Sequence, residues 1–500
     1  MKGLLPSTKV AVVSAGSGGP SVSMAHAGED AGGRVSRRRA AGGARRWGGG
    51  GLGALTPWVA VAVLLVASAA RGAEPESEER PALTPASLGF KGSVTYKNYT
   101  QFHEVLNDKQ LFVNQGILEL EWGRRLTSWS TIKLAGEGLL DDANYARGLH
   151  FGVPDDSPYR SILGLKEGVL RLHSDTFEVT LGKQFFTWGT ADAFKPTDNF
   201  NPYDYLDVLD NSKLGVYSAA ARWSDGTTSI QGVVVPVFTP SRLPGTGNRW
   251  SPVSPSPIVG VVNPRELPST QPTNMQFGAR VKTTLKGWDL SVSYYEGFES
   301  TPVIRQSAIS VSPSFALPLF TPVFTRMRIP GFDFSTTFGK FEVHGEGAFK
   351  LAVRNGWADR FQSMAGFNYT WDDLGLSWLE QIIFVGEYGR EIILENKPES
   401  GILRPSGALT LGNFLSNNAF RNALVGRIIF RFTEDTQFKL TGVWDISDAP
   451  NHYLQLKLVH KLTDALLLET GFDFLAGGRE SFWGRWRDND RFFFMAKYLF

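Results

Sequence analysis

The chain closes on "RFFFMAKYLF", residues 491–500. Phe492, Phe494, Ala496, Tyr498 and Phe500 share one parity, and Arg491, Phe493, Met495, Lys497 and Leu499 share the other. Successive side chains of a strand point to opposite faces, so the first set forms a wholly apolar face and the second carries both charges. Domains in water usually end in polar residues that fray. A strictly alternating aromatic terminus raises the question of which solvent its apolar face meets.

The alternation recurs upstream. Met275, Phe277, Ala279, Val281 and Leu285 oppose Gln276, Arg280, Lys282 and Thr284. Beyond Lys286-Gly287, Trp288, Leu290, Val292 and Tyr294 oppose Asp289, Ser291 and Ser293. Phe438, Leu440 and Trp444 oppose Lys439 and Thr441, while Leu454, Leu456, Leu458 and Leu462 oppose Gln455, Lys457 and Lys461. A period of two predicts strands with one apolar face.

About eighteen such segments follow Leu88, and their connections alternate in length. The short ones read "LTSW", "HSDT", "SDGT", "LKGW", "FGK", "DDLG", "TEDT" and "LTDA". Longer ones span 141–160, 188–212, 239–273, 300–322, 392–418 and 477–488, with brief exceptions near 105–108, 354–360 and 447–452. Short turns on one rim and long loops on the other predict an all-β fold: a transmembrane antiparallel up-and-down β-barrel with periplasmic turns and extracellular loops. A soluble sandwich or propeller also alternates, but its connections need not alternate in length, and no blade-like repeat of about 40 residues is visible. In lipid every backbone donor and acceptor must pair internally, so the last strand is expected to close on the first.

Composition agrees. Of 500 residues 20% are charged and 12% aromatic, and the absence of cysteine excludes a disulfide framework and thiolate metal sites. The apolar run Trp58–Ala67 follows an Arg-rich stretch and precedes small residues, the pattern of a signal peptide with its h-region at 58–67, cleaved after Ala70 or Gly72. A spanning helix needs about 20 apolar residues. The expected organisation is a leader at 1–73, an acidic Pro-containing periplasmic linker at 74–87 and the barrel at 88–500. The leader carries nine Lys and Arg against two acidic residues, +7, so the +2 of the whole chain leaves −5 for the rest. Nucleic-acid binding thereby loses its only compositional support.

"FFFMAKYLF" resembles the C-terminal signature of bacterial outer-membrane barrels. That resemblance implies recognition of Phe500 by the barrel-assembly machinery, with outer-membrane lipid and lipopolysaccharide as surroundings. The Trp- and Arg-rich stretch 481–491 is read either as contacting lipopolysaccharide phosphates or as a solvated loop.

The polar faces would build a wet lumen, since a barrel of this strand number is too wide for side chains to fill. Lumen-facing candidates by parity are Glu119, Glu121, Arg280, Lys282, Glu342, His344, Glu346, Arg427, Arg431, Lys439, Lys457, Lys461 and Lys497. Both signs occur, but the final strands from Arg427 to Lys497 are predominantly basic, which favours anionic solutes. The alternative is that these groups solvate the wall or pair with one another.

Residues 181–207, "LGKQFFTWGTADAFKPTDNFNPYDYLD", are the most distinctive. After Gly189 the chain enters a long Asn-, Asp- and Pro-rich loop, a composition that favours fixed turns. Gln184, Trp188, Lys195, Asp198, Asn199, Asn201 and Asp204 are the candidates for a pore constriction. Lys183 falls on the apolar parity, pointing to a β-bulge or a rim position, and Pro330-Gly331 points to a bulge or a later strand start. "GKQFFTWG…NFNPYD" resembles a segment of a poorly characterised family of proteobacterial porin-like outer-membrane proteins, matched at Gly182, Gln184, Trp188, Gly189, Asn201, Pro202 and Asp204, and is more distantly similar to alginate-export-type barrels. The resemblance implies a substrate-permeable or secretion-linked barrel without naming its solute.

Catalysis would need a nucleophile and a base held together. The seven histidines (26, 103, 150, 173, 344, 452 and 460) are scattered and sit in no hydrolase motif. Glu342, His344 and Glu346 on one face suggest a metal site, but alternating lumen residues explain them equally well, and no metal or other cofactor is expected. The expectation is therefore an outer-membrane channel for passive passage of small hydrophilic or amphipathic solutes, anionic ones in the narrower form. A plugged structural or export-linked barrel is the alternative, and an outer-membrane enzyme the remoter one.

Overall fold

The computed structural model describes residues 89–500, apart from 107, 151, 154, 246, 252–260, 313–314, 354–357, 373, 396–401, 404–417, 447–450 and 480. The leader and the linker expected at 1–87 lie outside the described residues.

Eighteen antiparallel strands form one closed sheet. In chain order they are β1 (Phe90–Gln101), β2 (Phe112–Thr127), β3 (Ser130–Asp141), β4 (Leu163–His173), β5 (Phe177–Gln184) and β6 (Val216–Ser224). Next come β7 (Thr228–Val235), β8 (Gln276–Leu285), β9 (Trp288–Phe298), β10 (Arg326–Phe338), β11 (Phe341–Ala352) and β12 (Asp359–Trp371). The last six are β13 (Gln381–Glu395), β14 (Asn422–Thr433), β15 (Thr436–Asp445), β16 (Asn451–Thr463), β17 (Leu466–Ala476) and β18 (Arg491–Leu499). Each strand pairs with its neighbours in sequence, and β18 closes on β1 from Ser93 opposite Leu499 to Gln101 opposite Arg491. Phe500 completes the seam, exchanging backbone hydrogen bonds of 3.0 and 3.1 Å with Gly92. No backbone edge is left to lipid.

The eight connections of one rim fall at the short segments the sequence singles out, seven of them two or three residues long and the one at "DDLG" extending over 372–380, and the nine connections on the other rim include all the long ones. Connection 299–325 adds its own hairpin, Val303–Ser312 with Phe315–Val323. Pro330 neither bulges nor delays β10. The strand runs from Arg326 and keeps one register, but bridging to β11 lapses at Ile329 and Pro330, because proline has no N–H to donate.

Alternation decides the two surfaces. Outward positions carry exposed apolar side chains such as Val292, Leu424, Trp444 and Phe472, which in an outer-membrane barrel meet acyl chains. Inward positions near the short-turn rim are charged. Towards the long-loop rim part of the inner face turns apolar: Val216, Val233, Val235, Met327 and Ile329 are buried against Phe186, Trp188 and Phe200 of an infolded loop. The upper lumen is thus filled by protein, and the chain's main apolar cluster lies inside the barrel.

Candidate functional site

The site is the β5–β6 connection, residues 185–215, which crosses the lumen. It leaves β5 and is gripped by β11 and β13, the latter eight strands further round the eighteen. Gly189 makes the exit. It has φ +87°, where L side chains are strained, and a Cβ there would collide with the Glu346 carboxylate and with Thr197 Oγ1. Glu346 on β11 accepts the Ala191 N–H at 2.9 Å and the Thr197 hydroxyl at 2.7 Å. Glu387 on β13 accepts the N–H groups of Asp192 and Ala193 at 2.7 and 2.8 Å, and pairs with His344 Nε2 at 3.0 Å. Two wall carboxylates therefore satisfy loop donors that would otherwise lack partners, each net worth about 1.5–3 kcal/mol as a charge-assisted bond.

The descending half of the loop reads "DYLDVLD", with aspartates three residues apart that reach three parts of the barrel. Asp204 takes Arg160 at 3.0 Å and Arg242 at 3.2 Å, both from neighbouring long connections. Asp207 takes Arg491 of β18 at 2.6 Å, and Arg491 also holds Asp473 at 2.8 Å. Asp210 takes Lys97 and the Tyr99 hydroxyl of β1, each at 2.7 Å. Asp155 joins the network through Lys183 at 3.1 Å and Arg242 at 2.9 Å. Burial pushes the carboxyls of Asp155, Asp204 and Asp210 up, but their partners together (Arg242 with Lys183, Arg160 with Arg242, and Lys97 with Arg160 and Tyr99) more than offset it, so all three titrate below the ordinary carboxylate value. Asp198 is the reverse case: burial outweighs Lys213, and its carboxyl sits above that value.

The candidates therefore divide. Gln184 is buried at the end of β5 and donates to the carbonyls of Thr180 and Ser218. Trp188 is 2% exposed, its indole N–H donating to Gln231 at 3.0 Å while its ring meets Phe200 edge-on. Asn201 accepts the Phe186 N–H and donates to the carbonyls of Gln184 and Leu214, pinning the two ends of the loop together. These three shape the loop. Lys195, Asp198 and Asn199 line a cavity of about 490 Å³ on the long-loop side, together with Phe194, Tyr203, Phe420 and Trp483. Asp204 and Asp210 line a second cavity of about 420 Å³ on the other side, with Glu119, Lys166 and Lys497. Lys213, ion-paired with Asp198, borders both. Lys183 sits at the rim, buried on Asp155, and β5 shows no register shift there.

Among the wall charges, Arg280 is held by Asp333 through two bonds of 2.9 and 3.0 Å, and Lys282 pairs with Asp289 at 3.1 Å. Arg427, Arg431 and Lys439 form no ion pair among the described residues, and Lys457 pairs with Glu469 at 3.3 Å. Glu342, His344 and Glu346 do not converge as a trio. Glu346 serves the loop, and Asp192, His344 and Glu387 are the group whose donor atoms lie within 4.8 Å of one another. Stretch 481–491 is not a solvated loop: Phe482, Trp483 and Trp486 are buried.

Sequence reasoning missed Asp207, Asp210 and Glu387. The three-residue spacing of aspartates after Asp204 was the available signal for the first two. Glu387 carries none, because its partner lies nearly two hundred residues away.

A closed eighteen-stranded barrel with an apolar outer belt, a charged inner wall and an infolded loop defines a porin-like outer-membrane β-barrel. Residues 168–356 match a family described as a protein of unknown function, DUF1302. No curated protein matches. Among solved structures, Pseudomonas aeruginosa OccD3 is 10% identical over 82% of this chain and 91% of its own, with a TM-score of 0.44. A mutant of the Rh. blastica porin is 7% identical over 82% and 99%, with a TM-score of 0.36. OmpT, an outer-membrane protein of Vibrio cholerae, is 8% identical over 82% and 96%, with a TM-score of 0.35.

Proposed function

We propose that this barrel passes small hydrophilic or amphipathic solutes across the outer membrane, anionic ones by preference, through a lumen constricted by residues 185–215. The observation that carries the preference is the basic cluster near the short-turn rim. Lys439 stands directly opposite Lys457 in the β15–β16 register, flanked on β14 by Arg427 and Arg431. Like charges directly opposite destabilise a sheet, and among the described residues the one ion pair of this group is Lys457 with Glu469. Unneutralised cations lining a water-filled path lower the barrier for anions. Passage lowers a desolvation barrier and requires no covalent chemistry of the solute.

The test is the reversal potential across a planar bilayer under a KCl gradient. Anion selectivity that falls when Arg427 and Lys439 are both changed to Gln supports the reading, and cation selectivity overturns it. The many ties on the loop favour a second reading, a barrel plugged at rest, for which the same bilayer would show no steady conductance. The remaining assignments are a leader at 1–73 lost on export, an outer belt in contact with lipid and lipopolysaccharide, and recognition of Phe500 by the assembly machinery.

A further inference from the structure

The cavity on the long-loop side has a composition that a plain aqueous vestibule does not need. Phe194 from the crossing loop and Phe420 from the β13–β14 connection stack face to face, centroids 5.3 Å apart and planes 5° off parallel. Tyr203, Phe482 and Trp483 border the same space. At about 490 Å³ it falls within the range of small-molecule sites, which are largely apolar with a few placed polar groups.

Its charges are nearly all spoken for. Asp198 is neutralised by Lys213. Glu299 is held by Arg360 at 2.9 Å. Asp192 lies beside His344 and Glu387. The Lys195 ammonium forms no ion pair or side-chain hydrogen bond among the described residues; it borders the cavity near Asp198, whose carboxylate already pairs with Lys213. An ammonium has three donors and no acceptor, and beside aromatic faces its natural complement is a carboxylate on a flat apolar body.

We propose that this cavity binds a small aromatic carboxylate, its ring among the aromatic side chains and its carboxylate on Lys195, as the entry station of the channel. The site deepens the solute-channel reading and rests on it only for the word entry.

Binding is measured by isothermal titration of the full barrel in detergent, using benzoate, acetate (no ring) and benzyl alcohol (no charge). Benzoate is expected to bind at least about tenfold more tightly than either of the others. Lys195→Gln is expected to weaken benzoate about tenfold, the loss of one charge-assisted hydrogen bond, and to leave benzyl alcohol unchanged. Phe420→Ala is expected to weaken both ring ligands. Equal affinity for benzoate and acetate, or benzoate binding insensitive to Lys195→Gln, overturns the proposal. Because the Lys195 ammonium makes no ion pair or side-chain hydrogen bond among the described residues, that variant keeps the test decisive even where Phe420→Ala misfolds. A barrel that conducts but ignores benzoate sinks this site and spares the channel. One that binds benzoate without conducting does the opposite.

Discussion

Glu346 illustrates how much one wall residue holds. It sits on the inward parity of β11, and its two oxygens take the Ala191 N–H and the N–H and hydroxyl of Thr197. Glu346→Ala leaves those donors without an acceptor inside the barrel, a penalty of about 1–3 kcal/mol for each unsatisfied group. The expected outcome is a released loop tip: noisier single-channel currents, and faster proteolysis within 190–203 than in the parent. Unchanged currents and cleavage would show that Glu387 alone suffices. The aspartates add a pH dependence with a definite sign. Asp155, Asp204 and Asp210 have lowered folded values, so their contribution is complete above the ordinary carboxylate value of about 3.9 and is lost as pH falls through the folded values below it. Asp198, with a raised value, contributes in acid and loses that contribution as pH rises through it. Asp204 and Asp210 tie the loop directly and Asp155 supports it through Arg242, which outweighs Asp198 and predicts a loop that stays seated at neutral pH and loosens below about 4, read as a rise in conductance and current noise on acidification.

At the scale of elements, the crossing loop behaves as a strut fixed at both ends. Trp188 and Asn201 set its root, Glu346 and Glu387 hold its tip, and Asp207 and Asp210 bind it to the β18–β1 seam. Breaking a buried ion pair by removing one partner costs about 3–5 kcal/mol. Arg491→Met strands both Asp207 and Asp473 and is expected to lower stability by about that amount, measured by urea unfolding in lipid vesicles. Asp207→Asn is expected to cost less, because Asp473 still holds Arg491. Replacing residues 190–211 by a short Gly-Ser linker is expected to raise single-channel conductance several-fold while the barrel still assembles, since none of the eighteen strands lies within that segment. Loss of assembly would make the loop part of the folding core.

For the whole molecule, the outer surface carries the test. Val292 projects outward from β9 with 61% of its surface exposed and pairs with Val281 and Phe332. Val292→Arg is expected to destabilise the barrel by about 2–4 kcal/mol if that position lies near the bilayer midplane. In a soluble protein an exposed substitution of this kind would be close to neutral. Refolding into vesicles, followed by denaturant titration of both forms, separates the two.

Strand number and the alternation of short and long rims were readable from residues 88–500, because period two and turn chemistry are local properties written within ten residues of one another. The terminal stretch 491–500 likewise announced both its faces and its role as a closing strand. What the linear order left open is where the loop goes. Asp192 meets Glu387, and Asp207 meets Arg491, only because closing eighteen strands into a ring brings their inward faces around one lumen. Whether Arg280 acts as a free cation or as the partner of Asp333 was equally undetermined, since both lie on correct inward positions and only strand register sets their 2.9 Å contact. Local patterning chose the solvent for each face; closure of the ring chose which buried charges found each other.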